Sequence, residues 1–220
     1  MGYAAAPKPG GAKAFRYVEA TFTVPGQDIN PCFGSESDDA SFIGVGLGGS
    51  STTVLGPGDE IAGVEEECTD GRLLTYTAEI SAFQASGRPR VTTSFPVTPG
   101  DVVFTGVYYS SSTGEYTYNL TDESTGQQLL SAEACPAGAT CGNTSAEVTS
   151  GTNLDCYAAA QFEAIKVTDS AGVSGGIADT AWQAIVGAPT YDTSTSQLYS
   201  STSPAESAFQ VNGNPNGCQP

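Results

Sequence analysis

Short segments in which apolar and polar residues alternate recur along the chain, and they constrain its fold more than any other feature. A period of two is typical of β-strands, and these segments are rich in Val, Thr, Phe and Tyr, which favour strands. The predicted strands run from Phe15 to Pro25, Ser41 to Leu47, Leu73 to Phe83, Arg90 to Val97, Val102 to Tyr109, Glu115 to Leu120, Gln161 to Thr168 and Ala208 to Val211.

Turn sequences separate the predicted strands. GPGD at residues 56–59 and PGD at residues 99–101 are examples, because Gly and Pro supply the backbone angles of tight turns. Strands at this spacing predict an all-β protein, an antiparallel sandwich or barrel. The only segment with a helical pattern, Ile177 to Val186, is short, and we expect one turn or an irregular strand there.

The domain organisation follows from length and composition. No repeat or low-complexity segment divides the 220 residues, so we predict a single domain at residues 15–213. Residues 1–14 lack the apolar run of a signal peptide, and we expect a flexible leader on a mature chain whose signal has been removed. Residues 214–220 are predicted to be a tail that Cys218 tethers.

Six cysteines predict disulfides and therefore a secreted, extracellular protein. Six cysteines allow fifteen pairings. Cys135 and Cys141 enclose a short loop, so we predict that these two pair. The other four are assigned as Cys32 with Cys68 and Cys156 with Cys218. The alternative is a cytosolic protein with reduced, buried cysteines, which we disfavour because metal-type CxxC spacing is also absent.

The chain contains no histidine. This removes the Ser-His and Cys-His nucleophile pairs and the usual zinc sites. Acid–base chemistry must then be carried out by carboxyl groups, which exchange protons most readily near their ordinary pKa of about 4. We therefore expect a protein suited to acidic surroundings, without a metal or another cofactor.

The charge balance excludes several partner classes. Seven Lys and Arg oppose 24 Asp and Glu, which gives a formal net charge of −17. Nucleic acids and anionic lipids are bound by clustered Lys and Arg, so neither is an expected partner. No run of about eighteen apolar residues, as a membrane span needs, occurs. Protonation of carboxylates relieves the repulsion, so stability should persist or improve in acid.

Several short motifs occur in an order that resembles a known family. They are ATFTVP at 20–25, FIGVGLGG at 42–49, AGVE at 62–65, VTPGD at 97–101, YNLT at 118–121, SAEV at 145–148 and AAQF at 159–162. They are similar to TFTVP, WVGxDG, QxGVD, VxPGD, xNLT, SAEW and ADF of the glutamic peptidases, or eqolisins. The resemblance covers about residues 17–213 and implies a lectin-like sandwich of two antiparallel sheets that hydrolyses peptide bonds.

In that family a Glu acts as general base and then as acid, while a Gln amide holds the attacking water and stabilises the oxyanion. The resemblance places the catalytic Glu at Glu147. The Gln has no match. Aligning AGVE on QxGVD puts it at Ile61, whereas keeping the spacing from the glycines at 48–49 puts it at Gly56. Glu60 or Asp59 could replace it, which would give two carboxyl groups that share one proton.

The segment YTAEIS at 76–81 is similar to YxAWYEWYP, which lies along the substrate cleft in the family. Glu79 stands at the Trp and Ser81 at the acidic residue, so the aromatic wall is largely missing. Glu79 and Ser81 share one strand face, so Glu79 can reach the cleft. The predicted peptide-binding residues are Glu60, Glu65, Tyr76 and Glu79.

Three functional classes remain open. The first is a secreted endopeptidase that acts in acid on a peptide or protein substrate. The second is a catalytically inactive secreted or surface protein that binds a peptide or assembles with copies of itself. The third is a carbohydrate-active or carbohydrate-binding sandwich that uses Glu65, Glu67 or Glu79.

Overall fold

A computed structural model describes residues 2–11, 14–26, 40–48, 60–69, 73–83, 89–135, 144–152, 160–186 and 207–211. Over these ranges the chain forms fourteen β-strands and no helix. The strands are β1 Gly2–Ala6, β2 Phe15–Thr23, β3 Ala40–Gly48, β4 Glu60–Thr69, β5 Leu73–Phe83, β6 Pro89–Pro96, β7 Val102–Ser110, β8 Glu115–Asp122, β9 Gln128–Ala134, β10 Ser145–Thr152, β11 Ala160–Asp169, β12 Ser174–Gly175, β13 Gln183–Val186 and β14 Phe209–Val211.

The strands form two sheets, and within each sheet all the described neighbouring strands pair antiparallel. The first sheet has the order β13-β1-β10-β3-β4-β5-β6. The second has the order β12-β11-β2-β7-β8-β9, and β14 pairs with β11. The prediction of an all-β sandwich of two antiparallel sheets is confirmed.

The core lies between the sheets. Alternate residues of each central strand point into it, such as Val45 and Val64 of the first sheet and Val18 and Val107 of the second. Each buried side chain of this size contributes roughly 1.5–3 kcal/mol to folding. The period-two pattern of the sequence therefore has its physical cause here, because only one face of each strand meets the other sheet.

Two polar links join β4 to the second sheet through the core. The Thr105 hydroxyl donates to the backbone carbonyl of Ala62 at 2.7 Å. The Tyr118 hydroxyl donates to the carboxylate of Glu60, which is 2% exposed. Burial raises the pKa of the Tyr118 phenol, and the Glu60 carboxylate raises it further. These two hydrogen bonds fix the position of β4 relative to β7 and β8 of the second sheet.

The flexible leader is a wrong prediction for residues 2–6, which form β1. This strand is buried along its length and pairs with β10 on one side and β13 on the other. Its residues Tyr3 and Ala5 belong to the core, and the burial of this apolar strand accounts for its order. The segment at 177–186 begins with turns and ends in β13, in agreement with the predicted irregular strand. The predicted tail at 214–220 lies outside the described residues.

Candidate functional site

Polar residues collect on the face of the first sheet that points away from the second sheet. Ile43, Val45 and Leu47 of β3 belong to the core, so the alternate residues Gly44 and Gly46 point the opposite way. We call this the outer face. Residues paired directly across neighbouring strands share a face, so the strand register shows which other side chains lie on it.

Glu147 of β10 lies on the outer face. Its direct partner in β3 is Gly46, which in turn pairs with Ile61 of β4. Ile61 pairs with Ser81 of β5. The Ser145 hydroxyl donates to Oε1 of Glu147 at 2.8 Å, and the Glu147 side chain is only 2% exposed. The catalytic candidate is therefore held in a row with Gly46 and Ile61.

Glycines form the floor between β10 and β5. A Cβ at Gly63 would overlap the backbone of β3 and lie 2.7 Å from the ring of Phe42, so the Phe42 ring lies over this part of the floor. A Cβ at Gly46 would lie 2.9 Å from Cγ2 of Ile61. The side chains of Phe42 and Ile61 therefore occupy the space above Gly63 and Gly46, which a larger residue at either position would fill.

Glu65 and Glu79 form a carboxyl pair on the same face. Glu79 pairs with Gly63, two residues before Glu65, so the two Glu side chains are diagonal neighbours. The Ser81 hydroxyl donates to Glu79 Oε1 at 2.9 Å, and a hydrogen bond joins Glu65 to Glu79. The pair is the kind of arrangement in which two carboxyl groups share one proton.

Both carboxyl groups of this pair hold protons more tightly than an ordinary Glu. Burial, the Glu79 and Glu67 carboxylates and the hydrogen bond to Glu79 raise the pKa of Glu65 to about 7. Burial also raises the pKa of Glu79, against the lowering effect of the hydrogen bonds from Ser81 and Glu65. Below pH ~7 the Glu65 carboxyl group is therefore protonated and donates its hydrogen bond to Glu79.

The pair lies too far from Glu147 to act on the same water. Glu79 lies on β5, three strand spacings of about 4.8 Å from β10, which is ~14 Å across the sheet. Glu65 lies on β4, two spacings from β10 and also four residues along the strand from Ile61 in the row of Glu147. The structure thus brings three predicted site residues to one face, Glu147, Glu65 and Glu79, but in two groups.

The two other predicted site residues point the opposite way. Glu60 lies one position before Ile61 and faces the second sheet, where it meets Tyr118. Tyr76 packs against the core, and burial followed by the charge of Glu66 raises the pKa of its phenol. A shift of one residue along a strand reverses the face of a side chain, which is why neither shares the outer face with Glu147.

The register places one of the two positions considered for the family Gln. Ile61 lies in the row of Glu147 with only Gly46 between them. Gly56 and Asp59, the other positions considered, lie outside the described residues. Ser145 was missed in the sequence, and so was the strand that carries it; a spacing of two residues from Glu147 places both side chains on one face of that strand.

Other features lie away from this face. A cavity of about 580 Å³ on the second sheet is lined by residues of β2 and β11, among them Thr21, Gln161 and Glu163.

No group of three or more potential metal ligands occurs within the described ranges. The same ranges hold no helix with the length and apolar character of a membrane span. Cys135 is disulfide-bonded, and its predicted partner Cys141 lies outside the described residues.

Comparisons with known proteins agree with this architecture. The chain is similar to the solved structure of scytalido-glutamic peptidase with a transition-state analogue inhibitor, at 16% identity over 96% of this chain and 97% of that chain, with a TM-score of 0.64. It is also similar to SCP-B, a member of the eqolisin family of peptidases in a complex with the tripeptide Ala-Ile-His, at 17% identity over 96% and 97% of the two chains, with a TM-score of 0.60. At these identities the likeness shows the fold alone.

No curated protein sequence matches the chain significantly. The model of the peptidase A4 family matches residues 2–212, which is nearly the whole chain. The protein therefore belongs to the peptidase A4 family, that of the glutamic peptidases or eqolisins.

Proposed function

We propose that the protein is a secreted endopeptidase that acts in acid, with Glu147 as its general base and acid and with no cofactor. The observation that carries this proposal is the place of Glu147. It is a buried carboxyl group on a glycine-floored sheet face, held by Ser145, at the position where the family resemblance puts the catalytic Glu.

The proposed reaction uses one carboxyl group twice. The Glu147 carboxylate takes a proton from a water whose oxygen forms a bond to the carbonyl carbon of the peptide. The resulting tetrahedral intermediate carries the negative charge on the former carbonyl oxygen. Glu147 then returns the proton to the leaving nitrogen as the C–N bond breaks, which yields a carboxylic acid and an amine. Membership of the peptidase A4 family supports this assignment.

The direct test is cleavage of an acid-denatured protein between pH 2 and 7, with fragments identified by mass. We expect cleavage near pH 3–4, where carboxyl groups exchange protons readily, and no effect of a metal chelator. Glu147→Gln keeps the shape of the side chain but cannot accept a proton, so cleavage should fall by about a hundredfold or more. Equal cleavage by this variant would contradict the proposal.

The second candidate function is peptide binding without catalysis, and Ile61 favours it. Its aliphatic side chain lies in the row of Glu147, over Gly46, and cannot donate a hydrogen bond to an oxyanion. Removal of one oxyanion donor typically costs two to three orders of magnitude, or ~3–4 kcal/mol, in transition-state stabilisation. The matching experiment is Ile61→Gln, which under this candidate converts an inactive protein into an acid peptidase.

Carbohydrate chemistry at Glu65 and Glu79 is less well supported. Retaining glycosidases hold their two carboxyl groups ~5–5.5 Å apart and inverting enzymes hold them farther apart. Glu65 and Glu79 are hydrogen-bonded to each other, which requires a much shorter separation. A pair this close leaves no space for a glycosidic bond between the two groups.

Secretion is part of the proposal, and the cysteines provide its test. The bonded state of Cys135 supports an oxidising location. Mass mapping of a non-reduced digest should identify a peptide in which Cys135 is linked to Cys141. A free thiol at Cys141 would contradict that pairing.

A further inference from the structure

Ser145 is hydrogen-bonded to the carboxyl group of Glu147 on the outer face. The two residues are separated by one position on β10, so their side chains lie side by side on the outer face. The hydroxyl donates to Oε1 of Glu147 at 2.8 Å. Ser145 is fully buried and Glu147 nearly so, and hydrogen bonds to a charged group are strong at such a place.

The neighbours of Glu147 on the adjacent strands add no charge. Its direct partners are Ala4 of β1 and Gly46 of β3, and the next residue in the row is Ile61. None of these three side chains titrates. On β10 itself the nearest residues on the same face are Ser145 and Thr149. The hydroxyl of Ser145 is therefore a polar contact that can favour the ionised carboxyl group over the neutral one.

We propose that Ser145 is the positioning residue of the general base, and that its hydroxyl both orients Oε1 of Glu147 and favours the ionised carboxyl group against the effect of burial. The inference rests on the proposed function, because the general base must be ionised to accept the proton of water. A peptidase that works near pH 3–4 needs such a device, since an unassisted buried Glu would be protonated there.

A second serine–glutamate unit provides a comparison within the same sheet. The Ser81 hydroxyl donates to Glu79 at 2.9 Å with the same spacing of two residues. Glu79 nevertheless has a raised pKa, because burial outweighs the hydrogen bonds that it accepts. Ser81→Ala is therefore a matched variant. It removes an equivalent buried hydrogen bond from the same sheet, and the titration of Glu147 should not change in response.

The experiment compares Ser145→Ala and Ser145→Thr with the unaltered protein. The first readout is the titration of Glu147, monitored by NMR of the side-chain carboxyl carbon in protein labelled at Glu. The signal of Glu147 is assigned by its absence in Glu147→Gln. Loss of a hydrogen bond to the ionised form should raise the midpoint by about one pH unit in Ser145→Ala. Ser145→Thr keeps the hydroxyl and should restore most of the shift.

The second readout is the pH dependence of peptide cleavage. In Ser145→Ala the acid limb of kcat should move upward by the same amount, so kcat at pH 3 falls by up to about tenfold while KM changes by less than about twofold. Ser174→Ala is the control for a lost hydroxyl contact elsewhere, because Ser174 bonds to Thr168 at 2.8 Å on the second sheet. Its acid limb should not move.

The outcomes separate this inference from the proposed function. A protein without cleavage activity but with the predicted shift in the Glu147 midpoint would refute the peptidase and retain Ser145 as the positioning residue. An unchanged midpoint in folded Ser145→Ala would overturn the inference whether or not the protein cleaves. If Ser145→Ala fails to fold, Ser145→Cys serves in its place, because a thiol is a weak donor and should also raise the midpoint.

Discussion

Replacing Glu65 by Gln should remove much of the pH dependence of stability that the raised pKa of Glu65 predicts between about pH 5 and 8. Glu65 is half-buried and donates a hydrogen bond to the buried Glu79. An amide at residue 65 can donate the same hydrogen bond at every pH and carries no charge. The variant therefore imitates the protonated pair permanently.

The sign and size follow from the pKa of Glu65, which rises from 4.5 to about 7 in the folded protein. A carboxyl group with a raised pKa stabilises the fold fully below pH ~4.5, and this contribution is lost as the pH rises through ~7. At ~1.4 kcal/mol for each pH unit the upper limit is about 3 kcal/mol. Solvent screens a half-buried group, so we expect ~1–2 kcal/mol.

The assay is urea unfolding of both proteins at pH 4.5, 6, 7 and 8, since urea adds no ionic screening. Glu65→Gln should match the unaltered protein within ~0.5 kcal/mol at pH 4.5 and exceed its unfolding free energy by ~1–2 kcal/mol at pH 8. Glu115→Gln, at an exposed position of β8 in the second sheet, is the control and should change stability by less than ~0.5 kcal/mol. Parallel pH profiles for the unaltered protein and Glu65→Gln would refute the reasoning.

Two further predictions concern the fold around the site. Tyr118→Phe leaves the buried carboxyl group of Glu60 without the hydroxyl that donates to it, so the unfolding free energy should fall by ~1–3 kcal/mol; a change below ~0.5 kcal/mol would mean that the link is unimportant. Gly63→Ala places a methyl group against the backbone of β3 and should cost ~1–3 kcal/mol. Gly106→Ala meets nothing closer than 3.6 Å and should be neutral, and equal losses in the two variants would contradict the packing argument.

The sequence predicted the fold where one strand face is apolar and the other polar. The predicted segment Leu73 to Phe83 coincides with β5, and the predictions for β3 and β7 end within one residue of the observed bounds. β1 was missed because Gly and Ala resemble a linker in composition, whereas this strand is stabilised by pairing with β10 and β13. Such long-range pairing leaves no local signal.

The site was predicted in part, for the same physical reason. Motif order made Glu147 the catalytic candidate, and the spacing of two placed Glu79 on one strand face with Ser81, as the structure has it. Glu60 and Tyr76 were assigned to the cleft because they lie close to the family motifs in sequence. Which strand face each side chain occupies depends on the register with neighbouring strands, and that register directs both toward the core. The run of Glu at 65–67 resembles a solvated strand end, yet Glu66 is 1% exposed. Only the packed sandwich shows which of these carboxyl groups point inward.

The role of Glu147 is decided by the rate of peptide-bond cleavage at pH 3.5 by the unaltered protein and by Glu147→Gln, each shown to be folded by its near-ultraviolet circular dichroism. We expect cleavage by the unaltered protein and a loss of about a hundredfold or more in the variant. Cleavage at equal rates, or no cleavage by the unaltered protein, would contradict the assignment of Glu147 as the general base of an active peptidase.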